Sequence, residues 1–172
     1  MSESLVPYVV LLVASIACVT DIRRRRIPNL LTFGAAVAAV VFHVWVGGSR
    51  GLVFAAIGFG VGLAVFLPFF LLGGMGGGDV KLLAALGAWV GPGDALALAI
   101  YASLAGGVLG ITVALFNNYL GTAMRNLRMM VVSWCVAGPR PLPSMTLADS
   151  KAPRLAYAVP ILIGAMVTLW FQ

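Results

Sequence analysis

The sequence predicts an all-α, polytopic membrane protein: six transmembrane helices plus a cytoplasmic amphipathic helix lying in the membrane interface. Three observations carry this. Of 172 residues, 62% are hydrophobic and 9% charged, with mean hydropathy +1.07; a soluble domain is nearer half apolar and a quarter charged. Apolar runs recur along the chain at lengths near the roughly 20 residues that cross a bilayer. The basic residues cluster in alternate connections, as the positive-inside rule requires.

The first run, 5–20, is apolar apart from small polar residues and ends at Asp21-Ile22-Arg23-Arg24-Arg25-Arg26-Ile27-Pro28-Asn29. Residues 1–5 lack a basic start and a small-residue cleavage site, so this run is expected to be a retained span rather than a signal peptide. Pro28 and Asn29 mark a turn and a helix start. The second span is 30–46, followed by a tight connection at Gly47-Gly48-Ser49-Arg50. The third, 51–72, carries Gly58 and Gly62 at a spacing that lets helices pack closely. Then comes Gly73-Gly74-Met75-Gly76-Gly77-Gly78-Asp79-Val80-Lys81. The fourth span, 80–90, is short and broken by Gly91-Pro92-Gly93-Asp94; the fifth, 95–116, repeats the glycine pairing at Gly106 and Gly110. The sixth is 155–171. Together they read as one membrane-embedded domain over 1–172.

Between the last two spans lies the long polar segment 117–154. Its first half puts Leu120, Met124, Leu127, Val131 and Trp134 on one helical face, with Arg125 and Arg128 off it, which predicts an interfacial amphipathic helix. Its second half, Gly138 to Pro143, reads as an irregular loop. If 21–29 is cytoplasmic, then so are 73–81 and 117–154, and ten of the eleven Lys and Arg residues share that side; Arg50 alone is opposite. The expectation is an inner (plasma) membrane protein with both termini outside. The net charge of +6 then reports orientation and contact with anionic lipid, with no nucleic-acid partner implied.

Five acidic residues remain to be placed: Glu3 and Asp94 fall on the outer side, Asp149 in the long loop, and Asp21 and Asp79 at one depth on the cytoplasmic side. Two carboxylates that meet in a bundle share one proton. The ionised member takes a proton from water while the protonated member donates to the carbonyl under attack, which hydrolyses a peptide bond without a covalent intermediate. The plainer alternatives stay open at this point. Asp21 is also placed to end a helix, and Asp79 to cap one. Other chemistries have less support. His43 is the lone histidine, inside the second span, and such a residue is more often packed than catalytic. Cys18 and Cys135 form neither a CxxC pair nor, with His43, a metal-ligand cluster, so no metal and no cofactor are expected.

Asp21 with Ile27-Pro28-Asn29, followed by Gly76-Gly77-Gly78-Asp79-Val80-Lys81 and a late Ala156-Tyr157-Ala158-Val159-Pro160, resembles the type IV prepilin peptidases, polytopic aspartic proteases with a Gly-x-Gly-Asp motif. The match in motif order, spacing and span number covers nearly the whole chain. The resemblance implies that Asp21 and Asp79 are the catalytic pair, supported by the backbone of Gly76, Gly77 and Gly78. It also implies removal of a short basic leader from prepilins or pseudopilins at the cytoplasmic face. Arg23, Arg24, Arg25, Arg26 and Lys81 are expected to contact substrate or lipid. Larger family members carry an N-terminal cytoplasmic domain with paired CxxC motifs, associated with N-methylation. That pattern is missing here, so the chain looks more like the short, peptidase-only tight-adherence members, and methyl transfer is not expected. Two other functions fit the same aspartates: a small cation or proton transporter, and a non-catalytic assembly protein of a secretion system. The sequence carries no signal for oligomeric state.

Overall fold

A computed structural model of the chain describes residues 5–138 and 155–171, and among these the regular structure is all helical. The elements are α1 (Leu5–Arg24), α2 (Asn29–Leu71), α3 (Gly77–Val90), α4 (Pro92–Phe116), α5 (Leu120–Ala137) and α6 (Ala158–Trp170). Three of them, α1, α2 and α4, are long and apolar enough to cross a membrane, and α6 is a shorter apolar helix. Large apolar side chains such as Leu12, Val41, Leu104 and Val108 point outward. In water such a surface would be anomalous; against lipid it is the expected exterior.

The 43-residue α2 is two passes, because Gly48 departs from helical geometry at φ 58°, ψ −133°. Gly51 is seated against the backbone of His43, and the His43 and Phe54 rings lie 5.0 Å apart, so the chain doubles back there. The expected connection over 47–50 is therefore shorter than the sequence suggests: one glycine in a conformation closed to side-chain-bearing residues reverses the helix. With α2 split, the described residues pass along the bundle six times, in α1, the two limbs of α2, α3, α4 and α6.

Other boundaries also move. Span 1 continues four residues past Thr20, which leaves Asp21 inside α1 rather than ending it. It stops with Arg25 in the left-handed region at φ 52°, whose N–H bonds the Asp21 carbonyl at 2.8 Å, a cap usually made by glycine. α3 begins at Gly77, ahead of the expected residue 80, and so includes Asp79. α4 begins at Pro92 rather than Ala95, since proline suits a first helical turn. α6 begins at Ala158 rather than Leu155. The expected amphipathic helix is α5, with Met124, Leu127 and Val131 exposed beside exposed Arg125 and Arg128. The Gly138–Pro143 loop, apart from Gly138, lies outside the described residues, as do Arg140, Asp149, Lys151 and Arg154.

α3 is the axis of the fold. Every residue from Leu82 to Val90 is buried, so this pass faces protein rather than lipid. Helices in a bilayer gain little from apolar burial against each other and rely on close approach. Here Gly58 meets the Gly87 backbone and Gly62 meets Leu83 and Ala84, running the second limb of α2 antiparallel to α3. On the first limb, Trp89 Nε1 donates to the Ala35 carbonyl at 2.9 Å, and His43 Nε2 lies 3.0 Å from the Trp89 carbonyl. His43 thus satisfies one of the free carbonyls at the end of α3, a packing role. Gly106 accommodates Tyr157 of α6, and Gly164 fits against Leu98 and Ala102 of α4; Gly110, expected to pack closely, has nothing within 4 Å. These contacts put the end of α1, the start of α2, the 72–76 turn, the start of α3 and the start of α6 at one end of the bundle.

Candidate active site

At that end lies a cavity of about 560 Å³ lined by Asp21, Arg24, Arg25, Arg26, Ile27, Pro28, Asn29, Gly76, Gly77, Gly78 and Asp79. The two aspartates named from the sequence share its wall, together with the three glycines and three of the four arginines. Arg23 is exposed on α1 but does not line the cavity.

The Ile-Pro-Asn segment builds one side. Arg25 turns the chain out of α1 and buries Ile27, which is 9% exposed. Pro28, extended at φ −62° and ψ 132°, precedes α2, and its carbonyl accepts the N–H groups of Leu31 and Thr32. Asn29 Oδ1 accepts from Lys81 Nζ at 3.0 Å, and the Lys81 ammonium also sits 5.3 Å from the centre of the Phe33 ring. In the structure Lys81 ties the start of α3 to the start of α2, two residues after Asp79 on one side of the link and eight after Asp21 on the other.

The glycines build the other side, each for its own reason. Gly73 has φ 78°. A Cβ on Gly76 would stand 2.9 Å from Asp79 Oδ2; on Gly77, 3.1 Å from the Phe70 ring; on Gly78, 3.2 Å from Ile27 Cβ. Ile27, Phe70 and Asp79 itself approach this run closely.

Asp21 is buried, 8% exposed, and its Oδ2 accepts the backbone N–H of Ala158 at 3.3 Å. Asp79 stands in the first turn of α3, ahead of the apolar stretch. Its side chain takes a hydrogen bond from the Gly76 backbone, in the manner of a capping-box residue reaching back. Asp79 therefore caps α3 and lines the cavity at once. It is partly buried in the cavity wall, close enough to Asp21 to feel its charge. Among the described residues no three His, Cys, Asp or Glu side chains gather as metal ligands.

The sequence reading missed the contribution of α6. Ala158 N–H touches Asp21, and Tyr157 lies near enough to Asp79 to feel its charge. The only signal was the Ala156–Pro160 segment, noted for its resemblance and given no role.

Comparison with known proteins bears on the same residues. The chain is 36% identical over 106 residues to the prepilin leader peptidase/N-methyltransferases of Aeromonas hydrophila and Aeromonas salmonicida. The match takes in 58% of this chain and 36% of each relative, so the chain spans about a third of the length of these proteins. No solved structure matches it. The model of the type IV leader peptidase family matches residues 8–111, which hold Asp21, the Ile-Pro-Asn segment, the glycine run and Asp79. The chain belongs to the type IV leader peptidase family.

Proposed function

We propose that this protein is an aspartic endopeptidase that removes the short basic leader from type IV prepilins or pseudopilins at the cytoplasmic face of the inner membrane. The observation that carries the proposal is the shared cavity: Asp21 and Asp79, far apart in sequence, line one pocket at the end of the bundle. A pair holding one proton does both halves of the reaction. The ionised carboxylate takes a proton from water, the water oxygen bonds to the peptide carbonyl carbon, and the other carboxyl gives its proton to the carbonyl oxygen. Collapse of the tetrahedral diol breaks the C–N bond, with the amine leaving as it gains a proton. Family membership and the relatives' names support prepilin as the substrate. The gathering of Arg23–Arg26 and Lys81 at this end supports placing it on the cytoplasmic side, with both termini outside.

The proposal covers peptide cleavage alone. The methyl transfer in the relatives' names is not carried over, since the match takes in 36% of each relative. The test is reconstitution of the purified chain in proteoliposomes with a prepilin, read as a mobility shift. Shortened pilin from the wild type is expected. Intact prepilin alongside an aspartate-dependent cation or proton flux would replace the peptidase with a transporter.

A further inference from the structure

The N-terminus of α6 lies outside the residues matched by the family and outside the cavity lining, yet it holds one of the two aspartates. Asp21 sits in the last turn of α1, where that helix presents carbonyls and the negative end of its dipole. α6 supplies what α1 does not: a free first-turn N–H and the positive end of a helix dipole. Its placement is fixed by Tyr157, whose ring packs edge-on to Phe66 at 5.7 Å and whose hydroxyl fits where a Cβ on Gly106 would come within 2.6 Å.

We propose that Ala158 is a positioning residue for the dyad: its backbone N–H holds Asp21 Oδ2 from behind and leaves Oδ1 to work on water. This rests on the peptidase reading for its purpose, but the hydrogen bond stands apart from any substrate. The groups around Asp21 are Cys18 one turn earlier on α1, Arg24, Arg25 and Arg26 along the cavity and Asp79 from α3. The arginines lie on the solvent side of Asp21; Ala158 acts from the protein side.

The test removes one N–H. An ester in place of the 157–158 peptide, made by incorporating the hydroxy-acid analogue of alanine in cell-free synthesis into nanodiscs, deletes the donor and keeps the side chain. The matched control is the ester at 158–159, which deletes the Val159 N–H that bonds the Ala156 carbonyl at 3.1 Å and does not touch Asp21. Carboxyl 13C NMR of labelled aspartate, assigned with Asp21→Asn, reads the Asp21 carboxyl at fixed pH without substrate. Expected is a displaced Asp21 resonance in the 158 ester, since the hydrogen bond to its Oδ2 is lost, and an unmoved one in the 159 ester. The genetically encoded pair, Ala158→Pro and Ala158→Gly, is expected to divide the same way, with glycine keeping the donor. An unmoved resonance in the 158 ester, or equal displacement in both esters, overturns the inference. Prepilin cleavage is assayed on the same nanodiscs, and its absence would count against the peptidase reading without touching this result.

Discussion

Replacing Gly76 by alanine places one methyl group against the carboxylate proposed to be catalytic. The backbone permits it: Gly76 lies at φ −75°, ψ 140°, open to any residue, so no backbone strain enters. The new Cβ would sit 2.9 Å from Asp79 Oδ2, where ordinary contact begins at 3.4 Å, so the carboxylate must give way by 0.5 Å, the difference. A misplacement of about 1 Å at a reacting group costs roughly 100-fold in rate. Half that shift predicts roughly a tenfold loss in kcat/KM, or about 1.4 kcal/mol of transition-state stabilisation. Stability should change little, because the weaker alanine N-cap, a few tenths to about 1 kcal/mol, is offset by the stiffer unfolded chain, about 0.4–1 kcal/mol. The control is Gly74→Ala in the same run, where a Cβ meets only the Phe69 carbonyl at 3.5 Å. The assay is initial-rate prepilin cleavage in proteoliposomes, beside a thermal melt of each variant. Equal activity in the two variants would refute the reasoning, since it would mean that Asp79 does not depend on its room beside Gly76.

Lys81→Ala and Asn29→Ala should each lower kcat/KM by roughly two- to fivefold and show a coupling of about 0.5–1 kcal/mol in a double-mutant cycle, as one exposed hydrogen bond allows; strict additivity would mean that the 3.0 Å link does not hold the site. Gly87→Ala drives a Cβ into the Gly58 backbone and to 3.1 Å from Ala95 Cβ, and should lower stability in detergent by about 1–3 kcal/mol, whereas Gly60→Ala, with nothing within 4 Å, should not. The pH–rate profile should be bell-shaped, falling at low pH as the second proton binds and at high pH as the shared proton leaves. A profile with a single inflection would contradict two aspartates that share one proton.

Apolar run length made the passes legible, because in a bilayer nearly every residue of a span is apolar whichever way it faces. The same fact hid the difference between α1, which meets lipid along one side, and α3, which is enclosed by protein. Lipid and protein interior select the same side chains. The asymmetric arginines brought Asp21 and Asp79 to one depth, and the structure brings them to one cavity. Gly58 and Gly62 were readable as contact residues, while the identical spacing at Gly106 and Gly110 yields contact only at Gly106. Spacing places a residue on a face; it does not say what lies opposite. For the same reason Ile27 against Gly78, Lys81 against Asn29 and Ala158 against Asp21 were beyond reach, since each joins segments from different elements.

The most direct test of the account is the cleavage rate of a purified, reconstituted chain on a prepilin, measured for the wild type, Asp21→Asn and Asp79→Asn. The account predicts cleavage by the wild type and a loss of more than about a thousandfold in each variant, since an amide neither takes the proton from water nor donates one as the acid. Near-wild-type cleavage by either single variant, with the protein folded and inserted, would contradict a two-aspartate mechanism built on Asp21 and Asp79.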